Sequence, residues 1–110
     1  MRSMPQRNGF TKDSNVLTLH AALKIPGGKL LRTTCIVRGQ NLELVKITGD
    51  FFLHPEDNLE KLEEELSGIE AEEGAVKRAV QAFFRREKPV IIGAEPEDFV
   101  TVILKALESG

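Results

Sequence analysis

Two histidines, a single cysteine and a glycine-rich turn make up most of the chemistry available to this 110-residue chain. His20 falls on the polar side of an alternating segment and His54 directly precedes a proline; neither has a Cys, His or carboxylate at a metal-ligand spacing. Cys35 sits in "TTCIV", has no second cysteine for a disulfide, and reads as a small strand residue facing the core. No catalytic residue and no metal ligand set is therefore assigned. Asp50 follows Gly49 where a strand should end, and Gly-Asp is ordinary turn chemistry. Phe51 and Phe52 could stack a ligand, but adjacent aromatics between a sheet and a helix read as core that locks the two together. His54 then reads as a polar cap for a helix opened by Pro55.

The turn "PGGKLLR" has a different potential. Gly27 and Gly28 can expose backbone N–H groups to a phosphate, and Lys29 and Arg32 can add positive charge. The spacing is not that of a P-loop, and the turn leads into a strand instead of a helix N-terminus. Lys24, Lys29, Arg32, Arg38 and Lys46 could make a basic sheet surface, but the chain has no Trp or Tyr to interleave with them, which excludes an ordinary nucleic-acid platform. Leu30, Ile36, Leu42 and Leu44 are left over once the core face is filled and would form an apolar patch for a protein partner.

The elements that must position these residues follow from periodicity. "VLTLHAALKI" alternates as a half-buried strand, and "KLLRTTCIV" continues it after "PGG". A loop over residues 26–28 sets Leu23 opposite Leu31 and Leu19 opposite Cys35, so the apolar faces coincide. "RGQN" turns into a third strand, "LELVKIT". The period then becomes helical: Pro55 with Glu56 and Asp57 opens a helix carrying Leu59, Leu62 and Leu66, and Gly68 stops it. A second helix runs from near Glu72 to Arg86, "KPVIIGAE" is an apolar connector, and "PEDFVTVILKALE" is a third helix. The expectation is an α+β fold, β-β-β-α-α-α: a three-stranded antiparallel meander covered on one face by helices.

Length allows one domain, assigned to residues 15–110 after a flexible tail over residues 1–14. The 41% apolar and 29% charged content is that of a soluble protein, with no run long enough to cross a bilayer and no secretory signal, so a cytoplasmic setting is expected. The net charge of -2 hides segregation: residues 1–49 carry eight Lys/Arg against two acids, and residues 50–73 carry ten acids against one Lys. Such polarity can orient an approaching partner.

"KIPGGKLLR", "ITGDFFLHPED" with its acidic helix, and "GAEPEDFV", in this order over residues 17–107, resemble the C-terminal accessory domain of lipoate-protein ligases. Nothing here matches the arginine- and glycine-rich lipoate-binding segment or the adenylate-holding lysine of that family's catalytic domain, so the chain resembles the small subunit of a two-part ligase. The resemblance implies a heterodimer with a catalytic large subunit. That assembly would activate lipoate with ATP and Mg2+ to lipoyl-AMP, then pass the lipoyl group to a lysine of a 2-oxoacid dehydrogenase E2 or the glycine-cleavage H protein. It also implies that the accessory chain is inactive alone, binds no cofactor by itself and serves chiefly the adenylation step. The fold implied is similar to that of iron-sulfur scaffold and sulfur-acceptor proteins. Two other classes stay open: a sulfur-transfer or iron-sulfur assembly scaffold, which needs a reactive cysteine, and a non-enzymatic protein-binding module.

Overall fold

Alternation of apolar and polar residues produces the central sheet of the computed structural model, which describes residues 15–27 and 29–109. Strands β1 (Val16–Ile25), β2 (Lys29–Arg38) and β3 (Asn41–Gly49) pair antiparallel in the order β1-β2-β3. Leu23 lies opposite Leu31 and Leu19 opposite Cys35, the register expected from a three-residue connection. Gly27, at φ +95, supplies a backbone conformation that side-chain-bearing residues avoid. Gly28 and the residues 1–14 assigned to a tail lie outside the described residues.

One irregularity changes which side chains reach the core. Ile36 pairs with Leu44, but Val37 pairs with Leu42, so Glu43 is an extra residue on β3. This bulge reverses the alternation beyond it. Leu42, expected on the outer face with Leu44, is completely buried, while Leu44 stays on the outside. Simple period-two counting placed both on one face because their spacing of two ignores the bulge.

Helices α1 (Asn58–Leu66), α2 (Glu73–Glu87) and α3 (Pro96–Glu108) cover the inner face. α3 packs on β1 and β2, α1 packs on β3, and α2 packs against both other helices. Leu62, Leu66, Val76, Val80, Phe83, Phe99 and Ile103 meet Leu31, Cys35, Val45 and Ile47 in one core. Phe51 joins them, edge-on to Phe99 with centroids 5.2 Å apart. The Glu72 carboxylate caps α2 by accepting from Ala75 N–H at 2.6 Å, and the Asp98 carboxylate fixes the start of α3 by accepting from Glu95 N–H at 2.8 Å.

The sheet has one closed edge. Along β3, Ile47 N–H donates to Glu63 at 2.8 Å, Leu42 N–H to Ile69 O at 2.8 Å, and Ala71 N–H to Gln40 O at 2.8 Å. These contacts occupy groups that an exposed edge would offer to another chain.

The α+β class and the β-β-β start hold, with a second, two-stranded sheet in addition. β4 (Phe52–His54) pairs with β5 (Val90–Ile92), which lies between α2 and α3. The "KPVIIGAE" segment is thus partly a strand, not a plain connector. Its three apolar residues between Pro89 and Gly93 carried the strand signal, which a three-residue length hides from periodicity.

Candidate functional site

The residues singled out at "PGGKLLR" do not converge. Lys29 and Arg32 are an odd number of positions apart on β2, so the pleat sends them to opposite faces of the sheet. Lys29 lines a cleft of about 540 Å³ with Ile25 and Pro26 on one side and Gly93, Ala94, Glu95 and Asp98 on the other. Arg32 lines a shallow basin of about 370 Å³ on the uncovered face, with His20, Ala22, Thr34, Lys46 and Thr48.

The electrostatics of the two places differ in sign. Two carboxylates at the start of α3 share the cleft with Lys29, so an anion there meets repulsion as well as attraction. The basin gathers Arg32, Lys46 and His20 with two threonine hydroxyls and no carboxylate among its lining residues. His20 Nδ1 and Thr34 Oγ1 are 3.1 Å apart, which fixes the ring on the strand surface. Lys46 Nζ reaches Glu63 at 3.7 Å, a loose contact for a side chain that is mostly solvated. Arg32 has no ion pair among the described residues, so its guanidinium is available to a ligand or partner.

"GDFFLHPED" is a joint. Asp50 N–H donates to Leu30 O at 2.9 Å, and an Asp50 carboxylate oxygen accepts from Leu30 N–H at 3.2 Å. The residue thus ties the end of β3 to the start of β2, and its carboxylate is already engaged. A side chain at Gly49 would collide with Leu30 O and come within 3.0 Å of Leu31 Cα, which accounts for the glycine. Phe51 is core as expected, but Phe52 is 73% exposed, because adjacent strand residues point to opposite faces. His54 does not cap a helix: it belongs to β4 and pairs with Val90. The following peptide bond to Pro55 is cis, and α1 starts at Asn58, not at Pro55.

Cys35 is fully buried, and its sulfur lies 3.7 Å from the Thr33 hydroxyl. Burial pushes the thiol pKa up, against a smaller lowering by that hydroxyl, so the thiolate needed for sulfur transfer is disfavoured. Among the described residues no group of three His, Cys, Asp or Glu could hold a metal ion. Nor is any helix among them long and apolar enough to cross a membrane.

The apolar patch expected from Leu30, Ile36, Leu42 and Leu44 is reduced. Leu42 is in the core, Leu30 and Ile36 are half-buried, and Leu44 is 36% exposed. Larger exposure occurs at Phe52, Val90 (57%) and Ile92 (59%), all on the small ribbon that sequence periodicity missed.

Comparison with known proteins places this geometry. The family described as bacterial lipoate protein ligase C-terminus matches residues 18–103. The Lipoate-protein ligase A subunit 2 of Thermoplasma acidophilum is 32% identical over 74 residues, covering 67% of this chain and 76% of that protein. The fold is similar to a chain in the solved structure of an archaeal lipoylation system, a bi-partite lipoate protein ligase and its E2 lipoyl domain from Thermoplasma acidophilum. The TM-score is 0.71 and the identity 27%, over 80% of this chain and 96% of that one.

Proposed function

The chain belongs to the bacterial lipoate protein ligase C-terminus family, and from this premise we propose that it is the small, accessory subunit of a two-part lipoate-protein ligase. The observation that carries the reading is the fold match, which spans 96% of a chain from a bi-partite ligase system. The catalytic subunit would bind lipoate, ATP and Mg2+, form lipoyl-AMP with release of pyrophosphate, and transfer the lipoyl group to a lysine of a lipoyl-domain protein such as a 2-oxoacid dehydrogenase E2 or the glycine-cleavage H protein. On this reading the complex works in the cytoplasm, where ATP is available.

Adenylation concentrates negative charge on phosphate oxygens, and fixed cations in a water-poor interface stabilise that charge far better than solvent does. Among the described residues no nucleophile or general base is poised for such a reaction, and the contribution proposed for this chain is charge and closure. Arg32 is the better placed of the two cations predicted to lie near phosphate, because its basin holds no carboxylate. Lys29 works against Glu95 and Asp98. The buried Cys35 counts against the sulfur-transfer alternative.

The half-reactions separate the roles. With the purified catalytic subunit, omitting this chain should abolish pyrophosphate release from lipoate and ATP while transfer from preformed lipoyl-AMP continues. Equal loss of both half-reactions would refute an accessory role in activation.

A further inference from the structure

Leu17, Leu44, Phe52, Val90 and Ile92 are the exposed large apolar side chains among the described residues, and three of the five lie on one small surface. In the β4–β5 ribbon Phe52 is directly opposite Ile92, and His54 is opposite Val90, so these four side chains share a face. Leu53 and Ile91 occupy the other face and pack on the core. A ribbon of three residue pairs is marginal alone, and here its inner face anchors it. The outer face adds nothing to the chain's own core, yet it holds a phenylalanine, an isoleucine and a valine in contact with water. Such a cluster marks a protein interface.

The surroundings narrow the choice of occupant. Within three residues of the two strands in sequence the exposed charges are Asp50, Glu56, Asp57 and Glu95 against Lys88; Asp57 also reaches Lys61 at 3.7 Å, and Arg85 and Arg86 lie one turn further back on α2. A second copy laid face to face would set these acids against each other. A complementary partner has an apolar centre with a basic rim. The location matters as well: Gly93, the residue after β5, lines the same cleft as Pro26 and Lys29. The C-terminal end of β5 thus lies beside Pro26 and Lys29. The open sheet face is a poorer anchor, since Arg32, Lys46 and two threonines interrupt Leu30, Ile36 and Leu44, and Leu42 has gone to the core.

We infer that the outer face of the β4–β5 ribbon is the anchor by which the catalytic subunit holds this chain, through an apolar surface with a basic rim. The inference rests on the two-subunit reading above. An interface of ordinary size covers about 800 Å² on each partner, so the three side chains form its centre and the acidic residues its edge.

Binding of the catalytic subunit to the Phe52→Ser/Ile92→Ser variant, measured by calorimetry beside Leu44→Ser, tests it. The double variant should bind at least about thirtyfold more weakly, as loss of an apolar hot spot does, while Leu44→Ser stays within about twofold. Loss of the Phe52–Ile92 cross-strand pair, or of the partly buried Leu44, should lower the urea midpoint only slightly, so both variants stay folded under the binding conditions. Glu56→Lys gives a second readout that spares the apolar face: it should weaken binding at low salt and not at high salt. Parent-like binding by the double variant overturns the inference and leaves the subunit reading intact. So does a parent that dimerises through the ribbon, with the double variant monomeric but still binding the catalytic subunit. A parent chain that does not bind the catalytic subunit at all removes the two-subunit reading itself.

Discussion

Replacing Gly93 by alanine tests whether the contact between the β5–α3 connection and the β3–β4 joint organises this end of the molecule. Gly93 has φ +92, and an added Cβ would lie 2.6 Å from Asp50 O and 3.2 Å from Phe51 Cα. Gly68 provides a matched control, with φ +96 and nothing within 4 Å of an added Cβ. Both substitutions incur the left-handed backbone cost of about 1–2 kcal/mol and share the gain of about 0.4–1 kcal/mol from a stiffer unfolded chain. Gly93→Ala must in addition push back Asp50, whose N–H donates to Leu30 O at 2.9 Å and whose side-chain carboxylate accepts from Leu30 N–H at 3.2 Å. Each such bond contributes about 1 kcal/mol, so the excess over Gly68→Ala should reach about 2 kcal/mol if both are lost. Urea denaturation of both variants measures the difference, and for a domain stable by about 5–15 kcal/mol it is a large shift. Midpoints for the two variants that agree to within about 0.5 kcal/mol would refute the claim that backbone contact, and not φ, makes Gly93 necessary.

Two further outcomes follow from the sites. Arg32→Ala should slow lipoyl-AMP formation about tenfold or more in the assembled ligase, with Lys29→Ala affecting it less, since only Arg32 sits in a basin free of carboxylates; the reverse order would restore the turn as the phosphate contact. Native Cys35 should resist iodoacetamide at pH 8 and label only as fast as the chain opens. Because burial raises its pKa in the folded chain, stability should be level below the free thiol's pKa of about 8.5 and fall above it, where the unfolded chain loses a proton that the native chain keeps. Rapid labelling of native protein would contradict the burial.

The hairpin register was legible because Leu19, Leu23, Leu31 and Cys35 admit one alignment that puts them all on the covered face. The extents of α2 and α3 were legible for a similar local reason, since start signals such as Pro96 act within one turn of their own positions; the capping by the Glu72 and Asp98 carboxylates was not read from the sequence. Two features were not. The bulge between Ile36 and Val37 has no marker residue; it arises because Leu42 gains burial, while its N–H and C=O pair with Ile69 and Gly68 from a distant segment. The β4–β5 ribbon joins strands of three residues each, separated by both α1 and α2, so neither strand shows enough period to be read alone.

The same limit explains why three motifs that look independent in sequence are one feature in space. Leu30, from "KIPGGKLLR", bonds both ways to Asp50, from "ITGDFFLHPED". Gly93, the first residue of "GAEPEDFV", lies against Asp50 and Phe51 from the other side. Glycine is required at positions 49 and 93 because backbone meets backbone at each, an arrangement that no side chain at those points would permit. The node fixes the β1–β2 hairpin relative to the small ribbon, and with it both faces of β2, the one that carries Lys29 and the one that carries Arg32. On the accessory-subunit reading, the domain acts on its partner's reaction in this way, by holding the proposed docking face and the Arg32 basin rigid with respect to each other.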